Sequence, residues 1–218
     1  MEPYKWMFNS CRIPVAGEDV STSFDPAAHQ HVIVVRNGHF FAVDLVNKMT
    51  GKELSVAEIE VQLDRIMNDS RTQKMASAPV GAFTAANRDA WLKNREALLS
   101  GPSAEQNRKA LEKIESGIIV LALDSGKPVT FDERGVAVYG GDARNRFFDK
   151  QQIVVSENGA SGYIGEHSMM DGSQTLRLNN FMVSALEAGK IELGGPSSGS
   201  VLDDPEYLSL IHISEPTR

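Results

Sequence analysis

"HVIVVRNGHFFAVDLV", residues 31–46, decides how this chain is read. Two apolar runs, 31–36 and 39–46, meet at Asn37-Gly38. Both residues of that dipeptide tolerate the positive φ that a type I′ turn requires, so the stretch is an expected β-hairpin. The same logic applies to "QIVVSENGASGYIG", where two runs are separated by Glu157-Asn158-Gly159. Between them, "GIIVLALD" (117–124) is too continuously apolar for an edge strand and reads as a buried one.

Helical patterns fill the intervals. "SVAEIEVQLDRIM" begins with Ser55 and Glu58 in capping-box spacing and places Val56, Ile59, Leu63, Ile66 and Met67 on one face. A second helix is expected over 85–99, where Trp91, Arg95 and Leu98 recur at helical spacing. A third starts at Ser103 with Gln106 and runs to about Ser116. "TLRLNNFMVSALEAG" gives a fourth, ended by Gly189. Hairpins alternate with helices without the strict rhythm of a doubly wound sheet. The expected class is therefore α/β or α+β, a mixed sheet with helices packed on it.

Composition narrows the function. A net charge of −7 gives no electrostatic reason to expect nucleic acid. No apolar run reaches the roughly 18 residues that span a bilayer, and the start, "MEPYKWMFNSCRIP", is no secretory signal. The single Cys11 excludes an internal disulfide framework and reads as a buried, inert thiol. His29 and His31 share a strand face, and His39 from the partner strand is a conceivable third ligand. No carboxylate or thiol stands at ligand spacing, so no metal is expected. "GPSSG" (195–199) matches a nucleophile-elbow pattern but lies in a small-residue stretch with no strand-to-helix turn. No phosphate-cradling glycine loop is present.

The strongest candidate is "GYIGEHSMMDG", 162–172. His167 is the residue type that takes and returns a proton near neutrality. Asp171, four residues on, reaches the imidazole if the backbone curls there. Gly162 and Gly165 allow close approach, and Gly172 a sharp exit. Glu166 is expected to point away from His167, in a structural or solvated role. Spacing alone leaves a surface turn histidine as the other reading.

The longer stretch "NRFFDKQQIVVSENGASGYIGEHSMMDG" (145–172) resembles the signature of the choline/carnitine O-acyltransferases. Arg146, Phe147, Asp149, Lys150, Asn158, Gly159, Glu166, His167, Asp171 and Gly172 carry the likeness. It extends to "SCRIP" (10–14), "HFFAVDLV" and "APVGAFTAANRDAW" (78–91). Gln151 departs from the pattern, standing where the family usually has an apolar residue. Within the family, "GEHSMMDG" is most similar to fungal-type carnitine acetyltransferases.

The resemblance implies a chloramphenicol-acetyltransferase-like fold, with His167 as general base and Asp171 orienting it. The implied reaction is transfer of an acetyl (short acyl) group between CoA and the hydroxyl of carnitine. Acetyl-CoA/CoA is then a co-substrate, and no cofactor is bound permanently. Location is mitochondrial or peroxisomal by the same likeness. A choline or longer-chain enzyme of the family, or a noncatalytic scaffold, are the other outcomes. Residues 1–193 are read as a partial catalytic region and 194–207 as a linker. Residues 208–218, "LSLIHISEPTR", resemble read-through of a sequencing adapter, so Tyr207 is taken as the last native residue and the chain as an inactive fragment.

Overall fold

The computed structural model describes residues 4–139, 141–191 and 202–211. The strands are β1 (Ser10–Ile13), β2 (Val20–Ser23), β3 (His31–Arg36), β4 (His39–Asp44), β5 (Val120–Asp124), β6 (Gln152–Ser156), β7 (Ser161–Ile164) and β8 (Glu206–Leu208). The helices are α1 (Val56–Asn68), α2 (Arg88–Ser100), α3 (Ala104–Ser116), α4 (Phe131–Tyr139) and α5 (Gly172–Glu187). β1 and β2 form a small antiparallel ribbon. The other six make one mixed sheet in the order β7-β6-β5-β3-β4-β8, with β5 parallel to both β3 and β6 and the remaining pairs antiparallel.

The hairpin of the opening stretch forms as read. Asn37 and Gly38 take φ values of 49° and 74°, and Arg36 pairs with His39 across the turn. Because successive strand residues face opposite ways, the hairpin feeds two cores. Ile33, Val35, Phe40 and Ala42 join Val120, Ala122 and Val154 on one face, under Ala110 and Ile114 of α3. Val34, Phe41 and Val43 meet Ile66 of α1 on the other. Burial on both faces explains why β3, β4 and β5 are near-continuous apolar runs. Each fully buried side chain of this kind contributes about 1.5–3 kcal/mol.

Helix α1 has its full capping box, with the Ser55 hydroxyl accepting from the Glu58 N–H and the Glu58 carboxylate from the Ser55 N–H. Its most buried line is Glu58, Gln62 and Ile66, so the sheet-facing stripe is rotated toward two polar residues. Gln62 is anchored there by donating to the Asp203 carbonyl at 2.7 Å. α2 starts at the Asn87 cap rather than at residue 85. α5 begins at Gly172, three residues before its expected start.

Helix α4 has no counterpart in the sequence reading. Its signal was present: Thr130 and Glu133 stand in capping-box spacing, and the Glu133 carboxylate accepts from both Val129 N–H and Thr130 N–H. It was obscured because the helix turns only Val138, partly buried, against the core and so shows little apolar periodicity. Glu206 and Tyr207, read as linker, and Leu208, read as foreign sequence, form β8 against Phe40–Ala42. Leu208 is buried in the core, and the Ile211 backbone exchanges hydrogen bonds with the Asn107 side chain. Residues 195–199, with the serine pattern, lie outside the described residues.

Candidate active site

β6 and β7 form an antiparallel hairpin with Gly159 at φ 79° in its turn. Gly162 is needed on β7: a Cβ there would stand 2.4 Å from the Val138 side chain of α4. Gly165 and Gly172 have no such requirement, since a Cβ would meet only ordinary contacts at 3.6 Å or none. After Ile164 the chain leaves the sheet through 165–171 and enters α5.

Glu166 organises that turn. It is 7% exposed, and its carboxylate accepts from Ser168 N–H and Met169 N–H at 3.1 Å each and from the Ser168 hydroxyl at 2.8 Å. Of the two roles expected for it, structural or solvated, it takes the structural one, as a buried cap of its own turn. Met169 and Met170 are buried beside it and pin the exit. His167 sits at the apex with its side chain exposed and bonds to no described residue. Asp171 is also exposed and serves as the N-cap of α5, accepting from Gly172 N–H at 2.6 Å. The structure thus places His167 and Asp171 at two ends of one short turn without a hydrogen bond between them.

Behind the turn runs an ionic network that sequence reading missed. Arg12 of β1 reaches Glu166 at 3.4 Å and Asp19 at 2.6 Å. Arg88 bridges Asp19 at 2.6 Å and Asp149 at 2.5 Å, and the Trp91 indole donates to Asp149 at 2.7 Å. Burial pushes the Asp149 carboxyl up, while Arg88 opposes the rise. Adjacent Lys150 is 1% exposed and donates to the carbonyls of Ser10, Glu115 and Gly117 at 2.7–2.8 Å. Its desolvation brings the ammonium down to about 8. The signature's Asp149 and Lys150 are therefore struts inside the fold. A usable signal was the run "DKQQ" leading into an apolar strand, since polar residues continuing into a core need buried partners.

The other candidates separate. The antiparallel register sets His31 opposite Asp44 and His39 opposite Arg36, at opposite ends of the hairpin. The weighed three-histidine cluster therefore does not form. His29 and His31 do meet ring to ring, at 6.3 Å, but His31 is committed to the Lys113 carbonyl at 2.8 Å and His39 to the Tyr207 hydroxyl at 3.1 Å. Among the described residues no group of three His, Cys, Asp or Glu side chains is arranged to hold a metal ion. Burial pushes the Cys11 thiol well up, away from the reactive thiolate. No helix of the described residues is long and apolar enough to cross a membrane.

The sequence model of the family described as choline/carnitine O-acyltransferase matches residues 1–213. The chain is 32% identical over 181 residues to the mitochondrial carnitine O-palmitoyltransferase 2 of Rattus norvegicus, covering 83% of this chain and 26% of that protein. It is 31% identical over 190 residues to the mitochondrial carnitine O-acetyltransferase of Saccharomyces cerevisiae, covering 85% and 28%. It is also 35% identical over 184 residues to the highly reducing polyketide synthase ltbA of Aspergillus luteorubrus, covering 84% of this chain and 5% of the synthase. The chain spans about a quarter of the length of these carnitine acyltransferases.

Proposed function

The chain belongs to the choline/carnitine O-acyltransferase family, and from that premise we propose that it carries the general base of an acyl transfer between CoA and the hydroxyl of carnitine. The observation that supports this is the state of His167: an exposed, uncommitted imidazole between a buried, fully bonded Glu166 and two buried methionines. A base needs both properties, a fixed backbone and an open nitrogen.

In this reading an unprotonated His167 nitrogen takes the proton of the carnitine hydroxyl as that oxygen attacks the thioester carbonyl. The tetrahedral intermediate collapses by breaking the carbon–sulfur bond. The departing CoA sulfur recovers the proton from the imidazolium, so atoms and charge balance and no acyl-enzyme is required. Asp171 orients and stabilises the imidazolium once substrate closes the turn, because catalytic hydrogen bonds tighten in the reacting complex. CoA is a co-substrate and not a resident cofactor. The mitochondrial relatives support a mitochondrial site of action.

The acyl group assigned first is acetyl, on the fungal-type form of "GEHSMMDG". A second reading has its own support in the likeness to the synthase: the chain as the acyltransferase segment of a multidomain polyketide synthase, acting on a polyketide acyl group. Sequencing the transcript on both sides of the described region separates the two.

The test of the base is His167→Ala in the longest chain that the gene encodes, assayed with carnitine and acetyl-CoA or palmitoyl-CoA. Turnover is expected to fall roughly a thousandfold or more, combining a lost general base with lost positioning. Near-normal turnover in that variant overturns the assignment. Asp171→Asn is expected to cost less.

A further inference from the structure

We infer that Gln151, buried at the mouth of β6, is the positioning residue that locks the His167 turn onto the sheet. The inference rests on His167 being the base. Gln151 is 2% exposed and stands one residue before β6, its carbonyl accepting from Val120 N–H of β5 at 3.1 Å. Its side chain does something else. The regular β6–β7 pairing ends at Gln152 with Ile164. Just beyond, the Gln151 amide takes over both backbone groups of Glu166: its Nε2 donates to the Glu166 carbonyl, and its Oε1 accepts from Glu166 N–H, each at 3.1 Å.

One side chain thereby imitates a strand partner for the residue immediately before His167. The amide is itself held in place, because the Tyr163 hydroxyl donates to the same Oε1 at 2.8 Å. That phenol is buried enough to be pushed up to about 12, so it remains a donor across the neutral range. A primary amide has the donor and acceptor this clamp needs, whereas an apolar side chain has neither. With an apolar residue at 151, the buried Glu166 N–H and C=O would lose both partners. The turn would then have to shift to rehydrate them, moving His167 with it.

The test is Gln151→Met, close to isosteric and apolar, in the longest encoded chain, with His167→Ala alongside. Gln151→Met is expected to lower kcat about tenfold to a hundredfold, as for an ångström-scale misplacement. The KM values for carnitine and acyl-CoA should stay within about threefold, since the clamp touches neither substrate. The solvent deuterium isotope effect on kcat should rise, because a displaced base makes proton transfer more rate-limiting. A merely less stable protein loses active molecules and leaves that isotope effect unchanged.

Wild-type kcat in Gln151→Met, or a lower kcat with an unchanged isotope effect, overturns the clamp while His167→Ala still reports on the base. If His167→Ala is active, the underlying reading fails instead. Should Gln151→Met not fold, Gln151→Glu decides: it keeps the acceptor and loses the donor. A kcat within about twofold of wild type would overturn the proposal there too.

Discussion

His167 was legible because it lies in a pattern. The clamp proposed for Gln151 was not, because an amide reaching across the end of a strand ladder has no spacing in sequence. For Glu166 a structural or solvated role was legible, but not that its carboxylate folds back over its own turn. Lys150 shows the same limit: the sequence marked it as part of the signature without a role, and its three carbonyl partners show a structural post. Lys150→Met is expected to destabilise the fold by about 2–4 kcal/mol, since it strands buried acceptors; urea unfolding of the purified variant checks this. His31 adds a pH dependence. Burial lowers its imidazole below 6.5 in the folded chain, so between the folded and unfolded values the unfolded state binds more protons. Stability then falls as pH drops through 6.5 and onward through the folded value. Melting curves from pH 7 to 5 should show this loss, and His31→Gln should flatten it.

The elements divide by what they bury. The hairpins, β5, α1 and α3 each contribute to a core, and each was visible from period and punctuation. Neither α4 nor α5 has a fully buried residue among the described ones, and on α4 only Val138 packs partly against the core, too little of a stripe to read. Both leave large apolar side chains in the open: Phe131, Val136 and Tyr139 on α4, and Leu176, Phe181, Val183 and Leu186 on α5. Exposed apolar area of this kind promotes association. The 218-residue chain expressed alone is therefore expected to bind an apolar dye and to self-associate. Phe131→Asp with Phe181→Asp should reduce both without changing the circular dichroism spectrum; an unchanged sedimentation profile would count against this account.

At the scale of the whole molecule, the mixed sheet was legible as a class but its strand order was not. Neither the insertion of β5 between β3 and β6 nor the docking of β8 on β4 has a local signature. Only the turn chemistry, which joins neighbours in sequence, could be read directly. Size bears on activity as well. Because the chain spans about a quarter of its carnitine acyltransferase relatives, it is expected to show no carnitine-dependent release of CoA thiol by itself, while the longest encoded chain does; a thiol-colour assay on both separates the cases. The strand order also sets a timetable. The β3–β4 hairpin leaves the ribosome complete, but β5, the partner for the inner edge of β3, follows about 80 residues later. At about 5–20 residues per second that is roughly 4 to 16 s, during which a nascent chain presents Val34, Val35, Phe40 and Phe41 beside an open strand edge, so chaperone capture during synthesis should centre on that interval.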